Sequence, residues 1–454
     1  MQNNPMKTPS ITIKKSKGLG GSITVPGDKS ISHRAVIFGA IAEGITEVTG
    51  FLPGADNLST IAAFRAMGVT ITEDSPTELT IEGVGLHGLK KPADVIDAGN
   101  SGTTARLLIG LLAAQNFTSV ITGDASLQKR PMMRVVEPLR QMGARIDGKD
   151  GGKLLPLTIK GGKLKAIDYE SPVASAQLKS CILIAGLYAE GTTTVTEPMK
   201  SRDHTENMLK TFGVDVETDE TKNYIGYAHN LGAKNKVTLG KNRTLNGTAI
   251  KVPGDISSAA FFMVAATIIK TSKLTINYVG ANYTRSGVTY ILEGMGAKFS
   301  TLYTQTAQEN TMDITVSASA LKGIDIDGAL LLLAIDEFPI ICVAAAFADG
   351  VTRITGAGEL RVKESDRIAA MANALTAVGV NVEETEDGII IHGSADEDGL
   401  IKGGTIDSLG DHRIAMAMAV AGLASREGVT IKDPECVDVS YPDFFKVLGE
   451  VSQS

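Results

Sequence analysis

The stretch Pro26-Gly27-Asp28-Lys29-Ser30-Ile31-Ser32-His33-Arg34 returns in altered form as Pro253-Gly254-Asp255-Ile256-Ser257-Ser258. Pro26-Gly27 breaks the apolar strand Ser22-Ile23-Thr24-Val25, and Asp28 or Ser30 then caps a helix that continues as Ala35-Val36-Ile37-Phe38. The first turn of that helix carries Lys29, Ser30 and Arg34 beside N–H groups that have no helical partner. Two cations and a hydroxyl at a helix N-terminus suit a multiply charged anion, although a solvated, capped helix start has the same local signature. The stretch is not a P-loop, because Asp28 precedes Lys29 where that motif needs glycine.

Outward from this stretch the same pattern recurs. A polar head leads into an apolar helix, a short β-branched strand follows, and a second helix closes on an apolar residue plus glycine. The closings are Met67-Gly68, Met142-Gly143, Phe212-Gly213, Met295-Gly296, Val378-Gly379 and Leu448-Gly449. The period, roughly 70–83 residues, is too long for a solenoid repeat, so each copy reads as a small α/β unit. The second Pro-Gly-Asp divides the copies three and three. Two similar domains follow, 26–252 and 253–454, and the segment 1–25 could pair with either.

Composition sets limits. A chain of 454 residues with 43% apolar and 21% charged content reads as two globular domains. The net charge of -7 argues against nucleic acid as a partner. Cys181, Cys342 and Cys436 are scattered, without metal-ligand spacing, and fit a reducing cytosol. Met1–Ser10 is polar and lacks an apolar signal region. The apolar segment Ala329–Ala348 is broken by Asp336, Glu337 and Pro339, which argues against a membrane span. A buried acidic pair there needs a partner or a task.

The polar heads concentrate charge and amides. They hold Lys29, Ser30 and Arg34; Asn100, Gly102 and Thr103, then Arg130; Ser175 and Gln177, then Ser201 and Arg202; Asp336-Glu337; Arg361 to Arg367; and Asp411-His412-Arg413. Several Arg and Lys residues can hold two anionic substrates, and Asp336 or Glu364 could move protons. The bland reading makes Arg361–Arg367 a salt-bridged helix start and Asp411 a helix cap. No nucleophilic triad, dinucleotide loop or metal cluster is evident.

These motifs, in this order along the chain, resemble the EPSP synthase family of enolpyruvyl transferases. The carrying stretches are Pro26 to Arg34, Gly99-Asn100-Ser101-Gly102-Thr103-Thr104-Ala105-Arg106, Lys129-Arg130-Pro131-Met132, Ser175-Ala176-Gln177-Leu178-Lys179-Ser180, Arg361 to Arg367 and Asp411 to Met416. The resemblance implies an α/β fold of two similar domains, each with three βαβαββ copies like an inverse α/β barrel, joined by a two-stranded hinge. Segment 1–25 would then belong with 253–454. It also implies transfer of the enolpyruvyl group of phosphoenolpyruvate to the 5-hydroxyl of shikimate 3-phosphate, with release of phosphate. No cofactor or metal is implied, and a cytoplasmic monomer is expected, with no nucleic-acid or membrane partner.

Carried over by position, shikimate 3-phosphate falls to Lys29, Ser30, Arg34, Ser175, Gln177, Ser201, Arg202, Asp336 and Lys363. Phosphoenolpyruvate falls to Lys29, Asn100, Gly102, Arg130, Gln177, Arg367, His412 and Arg413. Asp336 is similar to the family's base for the 5-hydroxyl, and Glu364 and Lys29 resemble its other proton-transfer residues. Three positions depart from some members: Glu435 and Glu359 replace a lysine and an asparagine, and Ala176 replaces a serine. The sister transferase acting on a UDP-amino sugar uses a loop cysteine and an asparagine after its lysine. Here Gly123–Arg134 has no cysteine, and Ser30 follows Lys29. A non-catalytic anion-binding protein on the same fold is the remaining alternative.

Overall fold

The computed structural model describes residues 9–220, 224–225, 228–229, 234–306, 308–395 and 398–453. Residues 1–8 of the polar N-terminal stretch thus lie outside the described residues. The chain packs as two compact units. One takes in Pro26–Pro253 and Thr306–Glu309; the other takes in the residues up to Val25, Gly254–Gln305 and the residues from Asn310 on.

One sheet of the 26–253 unit shows the rule. Asp168–Glu170 pairs parallel with Thr194–Glu197, which pairs antiparallel with Asn235–Leu239, itself antiparallel to Val216–Glu220. A parallel pair needs a crossover, and helix packing supplies it. The same order recurs in Ile96–Asp97, Thr118–Thr122, Leu154–Lys160 and Arg145–Gly148. It recurs again around Glu43–Thr49, whose parallel neighbour Ala249–Lys251 comes from the far end of the segment. In the other unit, Gly18–Thr24 lies parallel to Lys273–Gly280, and Asp325–Ile326 to Val351–Ile354.

The sixth copy breaks the rule. Its sheet has three strands: Gly404–Asp407 parallel to Val429–Lys432, with the N-terminal strand Ser10–Ile13 antiparallel on the open side. The glycines explain where copies end. Gly68, Gly143, Gly213, Gly296 and Gly379 all have φ between +87° and +99°, the left-handed turn that glycine adopts without a Cβ clash. Each lets the next N–H reach back into the helix, as Val69 does to the Phe64 carbonyl. Gly449 instead sits inside the helix Phe444–Val451, which leads directly into the strand Ser452–Gln453.

Seven helices matter for the site: α1 (Lys29–Ala40), α2 (Gly102–Ala113), α3 (Ala176–Gly186), α4 (Ile256–Ile268), α5 (Phe338–Ala346), α6 (Arg367–Ala377) and α7 (His412–Leu423). All twelve residues of α7 are buried, as are eleven of twelve in α2 and twelve of thirteen in α4. Helices buried all round sit inside their unit with the sheets outside, the inverse of an ordinary α/β barrel. The α2–α3 contact is tight: a Cβ on Gly110 would lie 2.4 Å from the Cys181 carbonyl oxygen, so only glycine lets these helices meet. In the other unit α4, α5 and α7 pack on one another. Among the described residues no helix is long and apolar enough to cross a membrane.

Candidate functional site

Helix capping places most candidate residues. Asp28 accepts the Ile31 N–H, Ser101 that of Thr104, Ser175 that of Leu178 and Asp411 that of Arg413. Of the two candidate caps for α1, Asp28 is the one used. Ser30 and Lys29 are thereby left in the first turn.

In the 26–253 unit, Lys29 Nζ lies 2.6 Å from Asp56 Oδ2, and both side chains are largely buried. Asn57 Nδ2 donates to the Lys29 carbonyl. Arg34 is buried and gives Nη1 to the Ser30 carbonyl, Nε to Thr205 Oγ1 and Nη2 to Ser180 Oγ. Burial, opposed by Glu206, lowers its pKa to about 10, so it stays charged at neutral pH. In the same unit, Glu197 accepts the Ser201 hydroxyl at 2.5 Å and the Ser175 N–H at 3.0 Å. Arg202 follows, partly buried at the entrance to the helix His204–Thr211.

A second group surrounds the start of α2. Arg130 Nη2 donates to Asn100 Oδ1 at 2.6 Å, and Asn100 Nδ2 donates to Asp124. Arg106 Nη1 donates to Gln177 Oε1 at 2.8 Å, while Gln177 Nε2 donates to Thr103. A Cβ on Gly102 would lie 2.8 Å from Arg106 Nη1 and 3.5 Å from Arg130 Nη1. The glycine thus brings backbone against the Arg106 guanidinium, with Arg130 close by, and a methyl there would force Arg106 to move.

The other unit builds its group around Arg367, which is 1% exposed. Its Nε donates to Asp411 Oδ2 at 2.8 Å, its Nη2 to Glu364 Oε2 at 2.7 Å, and its Nη1 reaches Asp336 Oδ1 at 3.4 Å. Burial would lower this guanidinium, but Asp411, Glu364 and Asp336 together hold it above the usual arginine range. Arg413 Nη1 donates to the Asp336 carbonyl, and its Nη2 lies 3.8 Å from Asp336 Oδ2. Asp336 and Glu364 each keep 20% side-chain exposure, so two carboxylates with cationic neighbours remain reachable from water. His412 is buried at the first position of α7.

The bland reading of Arg361–Arg367 holds for part of that stretch. Arg361 pairs with Asp366 and Glu384 and also donates to the Glu386 and Thr385 carbonyls. Lys363 pairs with Glu359 before the helix starts, so it and Arg367 are not helical i, i+4 neighbours. Asp411 is both a cap and the partner of Arg367. Asp56, Arg106, Asp124 and Glu197 join these groups without having been expected as site residues from the sequence. Arg106 closes the Gly99–Arg106 motif, whereas Asp56 and Glu197 carry no local signal.

A family model for EPSP synthase (3-phosphoshikimate 1-carboxyvinyltransferase) matches residues 13–448. A protein of that name from Geobacter metallireducens is 54% identical over 444 residues, covering 98% of this chain and 99% of the relative. The chain belongs to the EPSP synthase family. Another family member, from Bacillus cereus, is 52% identical over 96% of this chain and 98% of its own length. The EPSP synthase structure from Acinetobacter baumannii superposes with a TM-score of 0.84 at 49% identity, covering 98% of both chains. The enolpyruvyl transferase NikO from Streptomyces tendae, 15% identical, shares the fold at a TM-score of 0.75 over 98% of both chains. Six α/β copies on two units, with the helices inside, are the architecture of this EPSP synthase family member.

Proposed function

We propose that the residues gathered at these helix starts divide the substrates of an enolpyruvyl transfer among them. The reaction moves the enolpyruvyl group of phosphoenolpyruvate to the 5-hydroxyl of shikimate 3-phosphate and releases phosphate, in the shikimate pathway. From the 26–253 unit, Lys29, Ser30, Arg34, Ser175, Gln177, Ser201 and Arg202 take shikimate 3-phosphate, and Asn100, Gly102, Arg130, Gln177 and Lys29 take phosphoenolpyruvate. From the other unit, Asp336 and Lys363 serve the first substrate and Arg367, His412 and Arg413 the second.

The observation that carries this reading is the single buried guanidinium of Arg367 gathering Asp336 and Glu364 while both keep an exposed edge. Chemically, Glu364 as an acid adds a proton to the methylene carbon of phosphoenolpyruvate. The cationic centre at its neighbouring carbon is attacked by the 5-hydroxyl oxygen as Asp336 takes the hydroxyl proton. The tetrahedral adduct then returns a methyl proton to the Glu364 carboxylate and loses phosphate, and Lys29 protonates the bridging oxygen as its bond to carbon breaks. The fixed cations lower the energy of this charge development without reorganising. We place the enzyme in the cytoplasm, acting as a monomer.

Phosphate release from phosphoenolpyruvate is the test, with shikimate 3-phosphate and a UDP-amino sugar offered in turn. Turnover with the first acceptor alone is expected. Turnover with the second, or with neither, overturns the reading.

A further inference from the structure

Beneath Ser175 and Ser201 lies a charge cluster with no place in the chemistry above. Lys179 on α3 is fully buried, with Nζ 2.8 Å from Glu197 Oε2 and 2.7 Å from Glu206 Oε1. Glu197 and Glu206 are each 1% exposed. Burial opposes the charge on Lys179, but Glu206 and Glu197 outweigh it and hold this lysine above its usual range. Glu197 has its remaining lone pairs in use. Oε1 accepts the Ser201 hydroxyl and the Ser175 N–H, and Oε2 faces the Ser201 N–H and Asn235 Nδ2, both at 3.4 Å.

A serine hydroxyl has one hydrogen. With that hydrogen on Glu197, Ser201 Oγ turns only lone pairs outward and would repel a phosphate oxygen. Ser175 differs: its Oγ accepts the Leu178 N–H as a cap, so its own hydrogen can still be donated. The two serines are therefore unequal donors, and a single carboxylate sets both.

We propose that Glu197 is a positioning residue for the phosphomonoester of shikimate 3-phosphate, holding Ser201 Oγ and the Ser175 backbone in place until the phosphate dianion takes the Ser201 hydrogen from it. Lys179 balances the carboxylate charge left behind, so Glu197 does not repel the phosphate it serves. This rests on the reading that Ser175 and Ser201 meet the substrate's phosphate.

The test is a double-mutant cycle in the full-length protein, read by calorimetric titration with shikimate 3-phosphate and with unphosphorylated shikimate. Glu197→Gln and Ser201→Ala are each expected to weaken shikimate 3-phosphate binding about tenfold, the scale of one charge-assisted hydrogen bond. The double variant should lose far less than the product of the two, because the interacting pair is then removed once. Shikimate affinity should change by less than about twofold, since it lacks the phosphate. Glu197→Asp keeps the negative charge beside Lys179 but draws the carboxylate back by one methylene, and should lose shikimate 3-phosphate affinity with shikimate affinity unchanged. It also serves where Glu197→Gln does not fold.

Losses that simply multiply, or an equal loss of shikimate affinity, would overturn the positioning role while leaving the phosphate site standing. If neither Ser201→Ala nor Ser175→Ala weakens shikimate 3-phosphate binding, the site assignment itself is wrong, and this proposal falls with it.

Discussion

Two aspartates share the Arg367 guanidinium, and the same substitution at each should do opposite things. Asp336 Oδ1 stands 3.4 Å from Arg367 Nη1 and Oδ2 stands 3.8 Å from Arg413 Nη2, both longer than a charge-assisted hydrogen bond. Asp411 is fully buried and accepts Arg367 Nε at 2.8 Å, the Arg413 N–H at 3.0 Å and Ser365 Oγ at 3.1 Å. Asp336→Asn keeps the shape at a part-exposed edge, so its effect on stability should stay within about 1 kcal/mol. It removes the proposed base, and kcat should fall about 10²–10⁴-fold, or about 3–5 kcal/mol on the barrier. Both KM values should hold within about threefold, because the cations proposed to bind the phosphates are untouched and the amide of Asn can still hydrogen-bond the 5-hydroxyl that Asp336 is proposed to meet. Asp411→Asn instead removes one partner of a buried ion pair, at a cost of about 3–5 kcal/mol. It should lower the melting temperature and raise the KM for phosphoenolpyruvate as Arg367 loses its anchor. Steady-state phosphate release with each substrate varied, beside thermal melts of both variants, measures all of this. Turnover of Asp336→Asn within about fivefold of wild type would exclude Asp336 as the base, and a melting temperature as low as that of Asp411→Asn would make it a structural residue.

Gly102→Ala places a Cβ 2.8 Å from Arg106 Nη1, so the guanidinium that holds Gln177 must move. The KM for phosphoenolpyruvate should rise about tenfold at most. Steady-state phosphate release with phosphoenolpyruvate varied checks this, and an unchanged KM would show that Arg106 moves without cost to the site. His33 is buried with its Nδ1 against Thr60, and burial, then Lys29 and Arg34, hold it well below 6.5. Because the folded value lies below the unfolded one, stability present above pH 6.5 is lost as the pH falls from there toward the folded value. The loss should approach about 1.4 kcal/mol per pH unit, and His33→Gln should flatten it. Melting curves at stepped pH that show equal slopes for both proteins would discount His33.

The features legible in the sequence are the ones set by hydrogen bonds within a few residues. Asp28, Ser101, Ser175 and Asp411 announce helix starts because each bonds an N–H two or three positions on. The apolar-glycine closings announce helix ends because the left-handed turn needs a residue without a Cβ. Together they delimit the copies, and the alternation of helix and strand then implies α/β units. Packing decided the rest. Nothing near Ser10–Ile13 shows that it completes a sheet with Val429–Lys432, and Gly449 looks like every other closing until it is found inside a helix. The Arg361–Arg367 stretch shows the same limit at the site. Arg361 and Arg367 carry the same charge six residues apart, yet one is bound to Asp366 and Glu384 and the other buried on Asp411. Asp56 and Glu197 acquire their roles only through Lys29 and Ser175, which lie in other elements. A side chain's partner across tens of residues is chosen by which burial satisfies its charge, and that depends on the whole packed unit rather than on its neighbours in the chain.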